Sequence, residues 1–235
     1  MDTAVVTGGT GALGRVVTTR LIAHGYRCIV PYVTLEEAQE LRASLVPQLR
    51  EQLVLLEADM LDEDAVEHVF DAADSFGAPY ALVHLIGGVR GFQPVSETNT
   101  ADWDFLMQLN LRSFFLSSRS AMRRFEKRSR GRIVSIGAMA SVRPAANQAG
   151  YGVAKAAVAA LTRILADEGR SSGITANCIA PSVLRTDTNL AWGSKEDAVR
   201  WVTPEQIAAT IAYLLSEDAA SITGTVIQAF GGVQP

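Results

Sequence analysis

Apolar residues fall along this chain in short runs separated by longer amphipathic stretches, and the two patterns alternate from end to end. Runs at 4–7, 27–33, 53–57, 80–86, 132–136, 173–180 and 225–230 are rich in Val, Ile, Leu and Ala and carry few charges. That is the composition of strands covered on both faces. Between the runs, apolar residues recur every three or four positions: Val16, Val17, Leu21 and Ile22 form one stripe, and further helices are predicted over 35–46, 62–76, 101–127, 151–168 and 204–215. The last opens on Thr203-Pro204-Glu205, where Thr can cap free N–H groups and Pro occupies the first turn. Strand and helix in alternation predict an α/β fold with a doubly wound, seven-stranded parallel sheet and helices on both faces. No linker, repeat or low-complexity stretch interrupts the pattern, so residues 1–235 are read as a single domain.

Composition adds exclusions. With 48% hydrophobic and 20% charged residues the chain can fill such a core and is not disordered. A net charge of −4 argues against nucleic-acid binding. Arg119, Arg123, Arg124, Lys127, Arg128, Arg130 and Arg132 form a local basic cluster, read as solvated cations that complement a helix C-terminus. Cys28 and Cys178 lie in apolar runs as buried thiols, without metal-ligand or disulfide spacing, and no metal is expected. The chain shows no charged leader and no apolar run approaching about 18 residues, so neither export nor a membrane is indicated and the cytoplasm is expected.

Candidate chemistry gathers at the ends of the predicted strands. The first runs into Thr7-Gly8-Gly9-Thr10-Gly11-Ala12-Leu13-Gly14 and then a helix. Glycines there permit positive φ and close backbone approach, and the helix N-terminus offers N–H groups to a pyrophosphate. A tight turn also uses glycines, but a strand before and a helix after favour a nucleotide. The second strand closes on Tyr32-Val33-Thr34, with neither an acid for the adenosine ribose hydroxyls nor a cation for a 2′-phosphate. Thr34 or Arg15 can reach such a phosphate, which inclines the reading toward NADP(H) over NAD(H). Asp59 after the third strand can take an adenine amino group or cap a turn, and Gly87-Gly88 after the fourth can admit a ribose or form a plain turn. His84, inside an apolar strand, is read as a satisfied core histidine. Tyr151 and Lys155 stand four apart near a helix start, hence on one face. A phenol with a pKa of about 10 is a poor proton carrier at neutral pH, and a neighbouring ammonium would lower it.

Taken together, these residues resemble the short-chain dehydrogenase/reductase family over essentially the whole chain. The motifs fall in the family's order: Thr7 to Gly14, Asp59, Asn110 within Leu109-Asn110-Leu111, Tyr151 with Lys155, Asn177 with Pro181, and Gly231-Gly232. The pattern is most similar to the 3-oxoacyl carrier-protein reductase branch. The resemblance implies a Rossmann-type fold, an NAD(P)(H) cofactor, a small carbonyl or secondary-alcohol substrate, and a homodimer or homotetramer built on helices 101–127 and 151–168. It implies that Tyr151 is the acid/base, that Lys155 binds the nicotinamide ribose and lowers the phenol pKa, and that Asn110 holds a water linking Lys155 to solvent. The cofactor would be held by Gly8, Thr10, Gly11, Leu13, Gly14, Thr34, Asp59, Met60, Gly87 and Pro181 together with Tyr151 and Lys155. Residues 183–202, with Trp192 and Trp201, would form a substrate lid or an ordinary surface loop.

The chain departs from the family at one chemical position. Counting thirteen residues back from Tyr151, where the family has a serine, leads to Ala138. Loss of one such hydroxyl donor can cost about 2.7 to 4 kcal/mol. Ser135 and Ser141 flank the gap, and both are more simply read as strand and loop residues. His84-Leu85-Ile86-Gly87 replaces the family's Asn-Asn-Ala-Gly, Ala12 stands where many members have Gly, and Phe230 replaces an acid. Two functions follow: an NAD(P)-dependent oxidoreductase, or a weakened member that binds a dinucleotide as a sensor or scaffold.

Overall fold

Seven parallel strands run through the middle of the computed structural model, which describes residues 1–233. They are β1 (Thr3–Thr7), β2 (Arg27–Tyr32), β3 (Leu53–Glu57), β4 (Pro79–His84), β5 (Gly131–Ile136), β6 (Ile174–Pro181) and β7 (Val226–Ala229), in the order β3-β2-β1-β4-β5-β6-β7. The helices are α1 (Ala12–Ala23), α2 (Leu35–Ser44), α3 (Glu63–Gly77), α4 (Thr100–Met107), α5 (Ser113–Arg128), α6 (Ala149–Glu168), α7 (Asp187–Leu190), α8 (Lys195–Ala198) and α9 (Pro204–Leu215). Strand order reverses between β1 and β4, which leaves a crevice at their carboxyl ends.

Successive side chains of a strand face opposite ways, and each face of the sheet has its own core. Val6, Val30 and Val83 pack with Leu21, Ile22, Ile207 and Ile211 of α1 and α9. On the other side Val5, Ile29 and Leu82 pack with Phe70, Phe114 and Phe125 of α3 and α5. All three phenylalanines are fully buried, and truncating any one to Ala would cost about 3 to 5 kcal/mol.

The helix starts follow local capping chemistry. Asp62 accepts a hydrogen bond from the Ala65 N–H at 2.9 Å to open α3. At α9 the predicted start forms a reciprocal box: Thr203 accepts from the Gln206 N–H, and the Gln206 side chain accepts from the Thr203 N–H at 2.9 Å. The predicted helix 101–127 is interrupted, because residues Gln108–Arg112 form a π turn between α4 and α5. The segment 183–202 holds the short helices α7 and α8.

One expectation needs correction. The basic cluster is neutralised laterally: Arg119, Arg123, Arg124 and Arg128 pair with Glu63, Glu67, Asp71 and Asp74 of α3, and Arg130 and Arg132 pair with Asp2 and Glu217. α6 is long and apolar enough, by length and composition alone, to cross a membrane. In this fold it is a core helix against β6, burying Ala154, Val158, Thr162 and Leu165.

Candidate active site

The carboxyl ends of β1 to β4 open on a cavity of about 300 Å³. Six residues singled out in the sequence line it: Gly8, Thr10, Gly11, Asp59, Met60 and Gly87. Gly8 has φ of +70°, and a Cβ there would lie 2.9 Å from the Ile86 nitrogen. At Gly14 a Cβ would come within 2.1 Å of the Gly8 carbonyl oxygen, so glycine is what lets α1 start against the turn. Leu13 packs beneath the turn against the core. One oxygen of Asp59 accepts from the Leu61 N–H at 2.9 Å, so it closes a turn while its side chain borders the cavity.

The two residues behind the inclination toward NADP(H) lie outside the cavity lining. Arg15 is taken into an ion pair by Glu40 of α2, and Thr34 is an exposed residue at the start of α2 whose side chain makes no capping hydrogen bond. The cavity is bordered instead by Tyr32, Val33 and Glu37, and the Glu37 carboxylate accepts a hydrogen bond from the Thr10 hydroxyl at 2.9 Å. Glu37 escaped the sequence reading, since a glutamate in the first turn of a helix is ordinarily explained by the helix dipole.

Deeper in, α6 and the π turn bring Lys155 and Asn110 together at Gly87. Lys155 is 5% exposed, and its ammonium donates to the Ile136 carbonyl at the end of β5, at 3.0 Å. Asn110 is fully buried within the π turn. Its amide donates to the Gly88 and Leu106 carbonyls, each at 3.0 Å, and its oxygen accepts from the Gly88 N–H at 3.1 Å. The extra residue of a π turn breaks the regular ladder, and an amide side chain is suited to satisfy it. Lys155 and Asn110 converge on Gly87, where a Cβ would lie 2.7 Å from the lysine Nζ and 2.8 Å from the asparagine Oδ1. Pro181 ends β6 nearby in the fold's sixth strand, pairing with Ala229.

Burial dominates the electrostatics of the site. Burial pushes the Tyr151 phenol up to about 12. Burial also brings the Lys155 ammonium down to about 8. In each case the cause is loss of water, which disfavours the charged form. Tyr151 is therefore held as a neutral, protonated phenol.

Position 138 carries a methyl group. Ala138 follows β5 in extended backbone and is 6% exposed. Ser135 does not replace the missing hydroxyl, because it is buried and hydrogen-bonded to Thr162 at 2.8 Å. Ser141 folds back over the position, donating to the Ala138 carbonyl at 2.5 Å. His84 is the satisfied core residue expected. Its Nδ1 lies 2.8 Å from the Thr7 hydroxyl and its Nε2 3.3 Å from Ser113, whose own proton goes to the Leu109 carbonyl. Nε2 therefore carries the proton and Nδ1 accepts from Thr7. Asn177 ties β6 to the approach of β7, donating to the Ile222 carbonyl and accepting from the Thr225 N–H.

A glycine cradle at a sheet switch point, with Gly87 leaving the Lys155 ammonium and the Asn110 amide uncovered where a Cβ would clash with both, fits a dinucleotide. With Lys155 and Asn110 meeting at Gly87 on the cavity's edge, the fold and site are those of a dinucleotide-dependent oxidoreductase. Comparison with known proteins agrees. Residues 9–234 match the family described as enoyl-(acyl carrier protein) reductase. A short-chain type dehydrogenase/reductase of Picea abies is 30% identical, with 97% of this chain and 91% of that protein covered. The 3-oxoacyl-[acyl-carrier-protein] reductase of Vibrio cholerae is 28% identical, over 98% of this chain and 96% of that protein. A short-chain type dehydrogenase/reductase from Mycobacterium ulcerans superposes with a TM-score of 0.91 at 25% identity, covering 98% of this chain and 89% of that one. The chain belongs to the short-chain dehydrogenase/reductase family and is an NAD(P)-dependent oxidoreductase.

Proposed function

We propose that the protein interconverts a small carbonyl compound and its secondary alcohol, with Tyr151 as general acid and base. The observation that carries this reading is the convergence of Lys155 and Asn110 on Gly87, with Tyr151 one helical turn before the lysine. Gly8, Thr10, Gly11, Leu13 and Gly14 would hold the pyrophosphate side of the cofactor, Asp59 and Met60 the adenine, and Gly87, Lys155 and Pro181 the nicotinamide end. When bound, the dinucleotide supplies or accepts the hydride. Tyr151, kept protonated by burial, gives its proton to the carbonyl oxygen in the reductive direction and recovers it in the other. Lys155 spends one N–H on Ile136 and has others for a ribose hydroxyl. Asn110, its amide committed to Gly88 and Leu106, holds the π turn where a water would link Lys155 to solvent. Residues 183–202 would cover the substrate, with Trp192 and Trp201 packed 5.4 Å apart.

The protein would work in the cytoplasm as a homodimer or homotetramer. Trp103, Phe105 and Phe115 of α4 and α5, and Val153 and Ile164 of α6, are exposed apolar side chains that support such a contact. A monomer by light scattering would contradict it. The reading of Tyr151 is tested by following loss of dihydronicotinamide absorbance over a panel of ketones and acyl thioesters. Tyr151→Phe should abolish turnover while leaving dinucleotide binding intact, and retained turnover would remove Tyr151 from the mechanism.

Ala138 favours a second reading, in which the protein binds a dinucleotide and turns over little, as a sensor or scaffold. Restoring one hydroxyl by Ala138→Ser would then raise kcat by roughly 10²-fold or more. A wild type with brisk turnover and no gain from Ala138→Ser excludes this reading.

A further inference from the structure

α2 stands beside the glycine turn and reaches across to it twice. Glu37 borders the cavity and accepts a hydrogen bond from the Thr10 hydroxyl at 2.9 Å. One turn further along, Glu40 engages Arg15, the cation nearest to the glycine turn in sequence, in an ion pair. The cavity wall consequently carries two carboxylates, Glu37 and Asp59, and neither a lysine nor an arginine. A 2′-phosphate, bringing about two negative charges, would enter a wall of like charge with no counter-cation. Free ribose hydroxyls are donors and would find an acceptor in the Glu37 carboxylate. Thr10 is 6% exposed, and its hydroxyl, by donating to one carboxylate oxygen, fixes the direction of that acceptor.

Resting on the reading of this cavity as the dinucleotide site, we propose that Glu37 is the residue that selects NAD(H) against NADP(H). It does so from the first turn of α2, by accepting from the adenosine ribose and repelling a 2′-phosphate. The end of β2, where the sequence offers only Tyr32, Val33 and Thr34, takes no part in the discrimination through charge. Glu40 completes the arrangement by removing Arg15 as a phosphate partner. The preference is thereby reversed from the one that Thr34 and Arg15 suggest in the sequence.

Calorimetric titration of the full chain with NADH and NADPH, and with AMP and adenosine 2′,5′-bisphosphate, tests this without relying on turnover. The wild type should bind NADH ~100-fold more tightly than NADPH and rank AMP above the bisphosphate in the same sense, since the discrimination lies at the adenosine end. Glu37→Gln keeps an acceptor for Thr10 and removes the charge. It should narrow the gap by roughly tenfold, mainly through tighter NADPH. Glu37 is exposed, so the variant should melt with the wild type by circular dichroism. Equal or tighter NADPH binding in the wild type overturns the inference while sparing the dinucleotide reading, as does a ratio unchanged in Glu37→Gln. Failure of both nucleotides to bind overturns the dinucleotide reading and the inference with it.

Discussion

Lowering the pH should destabilise this protein through His84, and the size of the effect follows from the ring's position. β4 carries His84 into the interior between Thr7 and Ser113, and burial, helped by the nearby Lys155 charge, brings its pKa down from 6.5 to about 3. In the unfolded chain the ring takes up a proton below about pH 6.5, whereas in the folded chain it stays neutral until about pH 3. The unfolded state therefore binds more protons throughout that window. His84's contribution is fully present above about 6.5 and is lost as the pH falls toward 3. Across the whole window it amounts to roughly 4 to 5 kcal/mol, of which about 2 kcal/mol disappears between about pH 7.5 and pH 5. Urea unfolding followed by circular dichroism at those two pH values, on wild type and His84→Asn, isolates the effect. Asparagine leaves a polar group near Thr7 and cannot ionise. Whatever stability it costs outright, the wild type should lose about 2 kcal/mol more than the variant on acidification. Glu63 and Glu217, held low by their arginines, lose stability in the same direction but do so in both proteins. Equal losses would refute the reasoning.

Other outcomes follow from the same geometry. Lys155→Met should eliminate turnover yet raise the melting temperature at pH 7, because a buried ammonium lowered from 10.5 to about 8 costs the fold on the order of 3 kcal/mol. For the same reason the wild type should gain stability as the pH rises through about 8 to 10.5, where the unfolded lysine is still protonated, and a flat profile there would contradict it. Gly14→Ala should destabilise by about 3 kcal/mol or more and weaken dinucleotide binding, since its Cβ would meet the Gly8 carbonyl at 2.1 Å; an unchanged urea midpoint would show that α1 shifts freely.

The parallel sheet was legible because doubly covered strands write themselves as uninterrupted apolar runs, and all seven appear where such runs lie. The shared face of Tyr151 and Lys155 was legible from helical spacing alone. Their titration was not. Sequence shows that an ammonium is near a phenol, but the water each has lost depends on Gly87, Ile136 and the π turn, which arrive from distant parts of the chain. Glu37 was hidden for a related reason: its neighbours in sequence explain it as a helix-start residue, and its contact with Thr10 spans 27 positions. α7 and α8, at four residues each, are too short to display a period. The π turn has ordinary helical residue types, so nothing in Gln-Leu-Asn-Leu-Arg marks it.

That π turn also constrains how this chain can change over generations. It sits between α4 and α5, and an additional residue there turns everything downstream by about 100° relative to an unbroken helix. The burial of Phe114, Ala121 and Phe125 on one side of α5 is set to that rotated register. Straightening the helix with every residue kept would swing these three core side chains by about 100°, toward solvent. A lineage can therefore lose the activity by substituting Asn110, but substitutions alone cannot straighten the helix without dismantling the core; that takes loss of a residue. The π turn should outlast the chemistry it supports.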